Sequence, residues 1–310
     1  MKKPLTNLAA SIHRRLLDGA RARAEDFQLT LLRYGAERLL YRLGSSAHAS
    51  AFILKGAMLF LLWKDQLYRP TRDIDLEGFG DASPERMRRI FCEVCDIACP
   101  EDALRFDAET VTALPIRTTQ DDGGVRITMT VWLGKARISL QVDVGFGDVI
   151  TPPASEATLP TLLPLDAPRL RAYPLETVVA EKFEALVRLG RANSRMKDFR
   201  DLAMLAGRCE FAGELLTRAV RATFAHRRTD MTLVAEVLTE DFYDDAALGQ
   251  RWRAYLRTMP DAEHRSISLP DVGREMRRFL EPLAAAMAGG AQLLSWKHVE
   301  GWTLHRREGR

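Results

Sequence analysis

The segment Arg69-Pro-Thr-Arg-Asp-Ile-Asp-Leu76 decides the fold of this chain. It places two carboxylates, Asp73 and Asp75, two residues apart among apolar neighbours. In a β-strand such residues project from one face, so Ile74 and Leu76 should point the other way, into a core. Two adjacent carboxylates repel each other, and their hard oxygen atoms suit Mg²⁺. The segment therefore predicts a strand with a metal-holding face, a device found where phosphoryl groups are moved.

Length and composition indicate an ordinary folded protein. A chain of 310 residues is long enough for two domains. The hydrophobic fraction of 46% argues against disorder. No run approaches the ~20 apolar residues that cross a bilayer. The N-terminal Met-Lys-Lys-Pro has no apolar stretch behind it, which argues against a secretory signal. We therefore expect a cytoplasmic protein without membrane association.

The charge is only mildly basic, with a formal net charge of +3 and a pI of about 8.7. Arginine suits bidentate contacts to phosphate. The clustered basic residues are Arg218, Arg221, His226, Arg227 and Arg228; Arg274, Arg277 and Arg278; and His305, Arg306 and Arg307. A charge run is usually a solvated face. Together, however, the three groups make a phosphate-rich partner a reasonable hypothesis.

The cysteines do not indicate a metal centre. Cys92, Cys95 and Cys99 have the i, i+3, i+7 spacing of one helical face, and Cys209 stands apart. No histidine follows at zinc-finger spacing. We interpret the three as thiols packed like small hydrophobes on a buried helix.

Hydrophobic periodicity divides the chain near residue 150. The first part predicts helix over 8–43, a strand from Phe52 to Gly56, a helix from Pro84 and a β-hairpin over 125–144. Prolines recur through 151–170, which indicates a connection. Helices are predicted at 175–189, 195–206, 213–226, 231–238, 245–257 and 270–288. The predicted organisation is therefore an α/β sheet domain over 1–150, a proline-rich connection over 151–170 and a helical domain over 171–310.

Two features support the carboxylate strand. Lys55-Gly56 opens a short helix, and a glycine there lets backbone N–H groups approach a phosphate. Asp143 lies on the polar face of an alternating strand. If that strand neighbours the Asp73 strand, three carboxylates converge, about the number that two metals need. A solvent-exposed strand aspartate is the alternative for Asp143.

The helical half carries one further cluster. Lys182 lies amid the apolar side of a predicted helix, where an ammonium needs a partner or must reach solvent. Asp198 and Asp201 lie in the segment Lys197-Asp-Phe-Arg-Asp-Leu202, on the next helix. A triphosphate or a carboxylate would satisfy Lys182, and Asp198 would receive it or act as a base. A structural ion pair between the helices is an almost equal alternative.

The sequence resembles the AbiEii/AbiGii nucleotidyltransferase toxins, a family that includes the MenT toxins and has the DNA polymerase β-like nucleotidyltransferase superfold. The resemblance covers roughly residues 10 to 285. Its motifs are Phe52-Ile-Leu-Lys-Gly-Ala-Met-Leu59, Tyr68-Arg-Pro-Thr-Arg-Asp-Ile-Asp-Leu76, Leu140-Gln-Val-Asp-Val-Gly-Phe146 and Arg195-Met-Lys-Asp-Phe-Arg-Asp-Leu202. It implies an α+β fold, in which a mixed sheet with flanking helices precedes a helical C-terminal domain that completes the active site.

The resemblance also implies a function. Family members transfer a nucleoside monophosphate from an NTP with Mg²⁺ and release pyrophosphate. For this chain we expect an RNA acceptor, the acceptor end of tRNA, and hence a block of translation by the toxin of a toxin–antitoxin system. Its antitoxin would be a repressor or kinase-like. The superfold commonly has Gly-Gly or Gly-Ser where this chain has Gly56-Ala57, so backbone groups must replace a serine contact.

The resemblance assigns roles to particular residues. Asp73, Asp75, Lys182 and Asp198 are expected to be catalytic, and Asp73, Asp75 and Asp143 to hold metal. The expected nucleotide-binding residues are Lys55, Gly56, Thr71, Lys182 and Lys197. The arginine groups would hold the RNA backbone.

Thr71 is also a candidate site of regulatory phosphorylation. It precedes Asp73 by two residues, so a phosphate on it would place negative charge beside the metal ligands. A threonine with a local hydrogen bond at the strand entry is an equal alternative.

Two other functions stay open. One is a nucleotidyltransferase that modifies a small molecule, as in drug adenylylation. The other is an RNA- or protein-binding module that keeps the fold without catalysis. The destination of label from each NTP would separate all three functions.

Overall fold

The computed structural model describes residues 7–64, 71–116, 123–259, 266–290 and 292–304. Arg69 and Pro70 of the opening motif and the basic group His305, Arg306 and Arg307 lie outside the described residues. The chain forms two compact units. The first comprises Met1–Asp148 and Ala154–Tyr173, and the second comprises Val149–Pro153 and Pro174–Arg310.

A seven-stranded mixed sheet forms the centre of the first unit. Its strands are β1 (Phe52–Lys55), β2 (Asp73–Gly78), β3 (Leu104–Ile116), β4 (Gly124–Leu133), β5 (Ala136–Phe146), β6 (Ser155–Thr158) and β7 (Arg169–Ala172). Their order is β3-β4-β5-β2-β1-β7-β6. The carboxylate strand β2 pairs in parallel with β5 and antiparallel with β1. Both the predicted strand and the predicted hairpin are therefore present, and they lie side by side.

Among the residues that the structure describes, four α-helices accompany this sheet: α1 (Leu8–Ala22), α2 (Phe27–Ser45), α3 (Phe60–Lys64) and α4 (Pro84–Cys95). The prediction of unbroken helix over 8–43 is wrong between α1 and α2. Ala24 has a positive φ of 53° there, and the side chain of Asp26 accepts a hydrogen bond from Leu29 N at 3.0 Å to start α2. This capping geometry restarts the helix in a new direction.

The alternation of β2 is as predicted. Ile74 and Leu76 are 2% and 1% exposed, whereas Asp73 and Asp75 are only partly buried. Burying the two apolar side chains fixes the register, because a slip of one residue would bury the carboxylates instead.

A buried ion cluster ties α2 to the start of β3. Asp102 lies 2.6 Å from Arg42 NH1 and 3.3 Å from Arg38 Nε, and all three side chains are almost fully buried. Asp102 Oδ1 also accepts a hydrogen bond from Leu104 N at 2.9 Å. Every charge in this cluster meets an opposite charge, as burial requires.

Residues 154–173 differ from the prediction of a connection ending near residue 170. They carry β6 and β7 and belong to the first unit, where Leu54 of β1 lies opposite Ala172 of β7. Strands of four residues flanked by prolines show too little alternation to be recognised. The long strand β3 was not predicted either, because its pairing with β4 shifts register between Asp107 and Thr112 and breaks the period of two.

The second unit is mainly helical. Its helices are α5 (Leu175–Leu189), α6 (Met196–Arg208), α7 (Gly213–His226), α8 (Val234–Val237), α9 (Glu240–Tyr243), α10 (Ala246–Leu256) and α11 (Leu269–Met287). The helices predicted at 175–189 and 213–226 have the same first and last residues as α5 and α7. A small sheet of β8 (Phe211–Ala212), β9 (Leu293–Lys297) and β10 (Gly301–Leu304) was not predicted.

The cysteines are free thiols. Cys95, Cys99 and Cys209 are buried, and Cys95 Sγ lies 3.8 Å from Met129 Sδ. Because α4 ends at Cys95, the prediction of one helical face through Cys99 is wrong. Within the described ranges, each helix is too short or too polar to cross a bilayer.

Candidate active site

Three carboxylates converge on one face of the central sheet. Asp75 of β2 lies directly opposite Asp143 of β5, and Asp73 precedes Asp75 by two residues on the same face. Each residue offers one oxygen, and these oxygens lie within 4.8 Å of one another. We call Asp73, Asp75 and Asp143 the strand carboxylate cluster. Its oxygen-only donors and partial exposure fit a hard divalent cation such as Mg²⁺.

Gly56 borders this cluster. It has a φ of +74°, in the left-handed region that glycine adopts without strain. A Cβ atom at this position would collide with the carboxylate of Asp75. Glycine therefore serves the backbone conformation and also leaves the Asp75 carboxylate its space.

Arg126 of β4 pairs with the third carboxylate. Its Nε and NH2 atoms lie 2.8 and 2.7 Å from the two oxygens of Asp143, which is a bidentate ion pair. Gln141 Nε2 lies 3.3 Å from the same oxygens. The hydrogen bonds to Asp143 raise the pKa of Arg126, with a further contribution from the charges of the strand carboxylate cluster.

Thr71 lies at the entry to β2. Its Oγ1 donates to Asp73 Oδ1 at 3.0 Å and lies 3.3 Å from the carbonyl oxygen of Asp73. The local hydrogen bond, one of the two alternatives for Thr71, is thus present, and regulatory phosphorylation of Thr71 stays a prediction.

Lys55 lies in an ion cluster of its own. Its Nζ is 2.6 Å from Glu77 Oε2 and 3.0 Å from Asp148 Oδ2. Tyr173 Oη lies 3.4 Å from Glu77. Burial raises the pKa of Glu77 against the opposing effect of Lys55. These contacts give Lys55 a structural partner, whereas nucleotide binding by Lys55 stays a prediction.

Sequence reasoning missed Glu77, Asp148 and Arg126. Glu77 is two residues beyond Asp75, so the period of two that singled out the aspartates also predicts its face. Arg126 lies opposite Asp143 only through the β4–β5 register, which the hairpin turn at Gly134 determines. Counting back from that turn would have paired the two residues.

The second unit contains a lysine enclosed by carboxylates. Lys182 Nζ of α5 lies 2.6 Å from Asp198 Oδ1 and 2.8 Å from Asp201 Oδ2 of α6. We call Lys182, Asp198 and Asp201 the lysine cluster. The structure thus contains the ion pair that was one of the two alternatives for these residues. Lys197, on the same helix, is exposed.

The two carboxylates of the lysine cluster differ in their electrostatics. Burial acts to raise the pKa of Asp198, but the charge and hydrogen bond of Lys182 outweigh it and lower the pKa overall. Burial raises the pKa of Asp201 well above its ordinary value. Asp198 is therefore the carboxylate that stays ionised beside Lys182.

Several of the grouped arginines have partners inside the second unit. Arg227 lies 2.8 Å from the buried Glu184, and Arg277 lies 2.8 Å from Glu240. Arg221 donates to Ala286 O at 2.8 Å, and Arg278 donates to His298 O at 3.1 Å. These four guanidinium groups already have partners within the protein, and RNA binding by the arginine groups stays a prediction.

The model of the family described as "Nucleotidyl transferase AbiEii toxin, Type IV TA system" matches residues 38–281, most of the chain. The chain belongs to the AbiEii toxin family. It is therefore a nucleotidyltransferase of a type IV toxin–antitoxin system with the α+β fold of that family.

Other comparisons add little to the AbiEii assignment. A search of curated proteins finds no match. The chain is similar to the crystal structure of JHP933 from Helicobacter pylori, at 13% identity over 81% of this chain and 90% of that chain, with a TM-score of 0.45. It is also similar to a candidate nucleotidyltransferase from H. pylori, at 13% identity over 81% and 92%, with a TM-score of 0.46. Likenesses this distant do not bear on function.

Proposed function

We propose that this AbiEii-family toxin transfers a nucleoside monophosphate from an NTP onto RNA, with Mg²⁺, and so blocks translation. The acceptor we favour is the acceptor end of tRNA. An RNA hydroxyl oxygen would bond to the α-phosphorus, the bond to the β-phosphate oxygen would break, and pyrophosphate would leave. The hydroxyl proton would pass to solvent. The observation that carries the proposal is the convergence of Asp73, Asp75 and Asp143 beside Gly56.

The strand carboxylate cluster would hold the metal. Bound Mg²⁺ would supply charge stabilisation at the α-phosphate and at the leaving pyrophosphate. Asp73 and Asp75 would orient it from β2, and Asp143 would complete the set from β5. Gly56 leaves space beside Asp75, where the backbone N–H groups at the start of the following helical turn would meet a phosphate.

The lysine cluster would bind phosphate charge. Lys182 is proposed as the lysine that contacts the triphosphate, with Lys197 as a second cation. Asp198, with its lowered pKa, is a poor base, so its proposed role is to orient Lys182. Exposed side chains that remain for RNA include Arg218 and Arg228. We expect the protein to act in the cytoplasm, where tRNA and NTPs are present.

The destination of a label tests this proposal. The full chain would be incubated with each α-labelled NTP, Mg²⁺ and total RNA, alongside Asp73→Ala. Label on tRNA supports the proposal, and label on a small acceptor would favour a drug-type enzyme instead. No transfer with any NTP would favour a binding module. An Asp73→Ala protein that remains active and toxic would refute the assignment of the strand carboxylates.

Thr71 is proposed as the point of regulation. Its Oγ1 lies 3.0 Å from Asp73 Oδ1, so a phosphate there would replace a hydrogen bond with repulsion close to the metal ligands. A kinase-like antitoxin would act in this way, whereas a repressor antitoxin would leave Thr71 unmodified. Intact-mass analysis after coexpression with the neighbouring genes tests the idea. An unmodified yet fully inhibited protein would count against it.

A further inference from the structure

Arg126 and Asp143 form an ion pair inside the strand carboxylate cluster. Arg126 uses Nε and NH2 to engage both oxygens of Asp143, at 2.8 and 2.7 Å. The two residues lie directly opposite each other on β4 and β5, so the backbone register brings them together. The third carboxylate of the cluster therefore already has a cation bound to it.

This pair differs from the structural ion pairs of the same unit. The side chain of Arg126 is 46% exposed, whereas those of Arg38 and Arg42 beside Asp102 are 0% and 2% exposed. An exposed guanidinium loses little by leaving its partner, because water solvates it at once. A buried one cannot leave without a large desolvation cost. Arg126 is therefore free to exchange partners in a way that Arg38 and Arg42 are not.

Metal and guanidinium compete for the same oxygens. A bidentate arginine occupies two of the roughly four lone-pair sites of a carboxylate, the two that a chelating metal would also use. A divalent ion bound to Asp143 would also face the positive charge of Arg126 at close range. Full engagement of Asp143 by metal thus requires Arg126 to release at least one oxygen.

A released guanidinium would remain at the edge of the cluster. The planar, permanently charged fork of arginine matches phosphate oxygens as well as it matches a carboxylate. We propose that Arg126 exchanges partners, pairing with Asp143 before metal binds and with a substrate phosphate once metal has taken Asp143. This inference rests on the proposed function, because it assumes that metal and triphosphate meet at the strand carboxylate cluster.

The exchange predicts two effects of opposite sign for Arg126→Met, which removes the charge and keeps an unbranched side chain. Mn²⁺ should bind to the full chain about tenfold more tightly, because its competitor is gone. Tripolyphosphate in the presence of Mg²⁺ should bind about fivefold to tenfold more weakly. This probe carries the phosphates of an NTP without a nucleobase, so the preferred base need not be known. A residue with a merely structural role would weaken both or change neither.

Matched variants accompany this measurement. Arg137→Met is the control, since Arg137 is an exposed arginine on the strand of Asp143, six residues before it. It should leave both affinities unchanged. Arg126→Lys keeps the positive charge without the planar fork, and we expect it to restore tripolyphosphate binding in part. Urea midpoints would confirm that all three variants are folded. If Arg126→Met does not fold, Arg126→Gln takes its place.

The outcomes separate this inference from the proposed function. Equal or weaker Mn²⁺ binding in folded Arg126→Met would overturn the exchange, even if wild-type protein transfers label to RNA. Unchanged tripolyphosphate binding would overturn it too. If wild-type protein transfers no label, the proposed function fails. Opposite shifts in Arg126→Met, with only partial recovery in Arg126→Lys, would then still support the exchange, because a charge effect alone would be fully restored by lysine.

Discussion

The strand carboxylate cluster and the lysine cluster solve the same electrostatic problem differently. In each, acidic side chains approach one another closely, from β2 and β5 in the first cluster and from α6 alone in the second. In the lysine cluster the cation is part of the chain, and Lys182 lies within 2.8 Å of both carboxylates. In the strand carboxylate cluster the cation supplied by the chain is Arg126, which pairs with Asp143 and is half exposed.

The contrast separates a structural charge from an available one. A buried carboxylate that pairs with a lysine of the same chain needs no added ion. Such a pair contributes to the folded core as well as to a binding site. Partly exposed oxygens within 4.8 Å of one another favour a cation from solvent. The two clusters should therefore respond in opposite ways to loss of their own residues and to addition of metal.

The largest expected effect is on stability. Lys182→Met removes the cation between Asp198 and Asp201, and we expect the free energy of unfolding to fall by about 3–5 kcal/mol. Urea denaturation with a folding probe measures it. The control, Lys197→Met, replaces an exposed lysine of α6, the helix that carries Asp198 and Asp201, and should change stability by less than about 0.5 kcal/mol. Equal effects of the two variants would mean that the lysine cluster is not a structural ion pair.

Added metal should act on the strand carboxylate cluster. At a Mg²⁺ concentration 100 times its Kd, binding to the folded state stabilises it by about 2.7 kcal/mol. Thermal unfolding with and without Mg²⁺ reports this gain. We expect Asp75→Asn to lose it, whereas Asp201→Asn should keep it. A gain that persists in Asp75→Asn would place the metal elsewhere.

The lysine cluster should show a pH dependence. The lowered pKa of Asp198 means that its contribution is present above its ordinary value of 3.8 and is lost as pH falls through the folded-state value. Asp198→Asn should therefore cost about 1.5–3 kcal/mol at pH 7, as expected for a hydrogen bond to a charged group. The difference from wild type should shrink as pH falls below 3.8 and should disappear only below the lowered folded-state pKa. A difference that is constant from pH 7 to pH 3 would contradict the role of the ionised carboxylate.

The smallest expected effect concerns space beside Asp75. Gly56→Ala places a Cβ against the Asp75 carboxylate, and we expect Mn²⁺ affinity to fall about tenfold, or about 1.4 kcal/mol. Gly190→Ala is the matched control. Gly190 also has a positive φ, of 49°, but a Cβ there has no atom within 4 Å. A loss of affinity in both variants would point to backbone strain in general.

Sequence periodicity predicted some residues of the strand carboxylate cluster and its surroundings and missed others. The alternation of Asp73, Ile74 and Asp75 predicted the face of β2, and Asp143 followed from the same period on β5. The convergence of the three carboxylates depended on β2 and β5 being neighbours, which the sequence could not show, because no local pattern specifies which strands pair. Arg126 was missed for another reason, because its position follows from the β4–β5 hairpin register and not from the period of either strand. Its position depends on a register that no single strand contains.

The helical half was easier to predict in outline than in detail. Long periodic segments such as 175–189 have bounds that match the structure. Composition identifies the arginine groups but does not show which guanidinium groups bind carbonyl oxygens of the protein, as those of Arg221 and Arg278 do. The strands β6 and β7 depend on pairing with β1 and with each other, and their own four residues carry too little signal.

The most direct test of the account is the rate at which label from an α-labelled NTP appears in RNA, with wild type and Asp75→Asn compared in Mg²⁺ and in EDTA. The account predicts that Asp75→Asn folds normally and loses at least about 10³-fold in rate, and that EDTA abolishes wild-type transfer. Transfer by Asp75→Asn at close to the wild-type rate, or wild-type transfer that persists in EDTA, would contradict the claim that the strand carboxylates hold the catalytic metal.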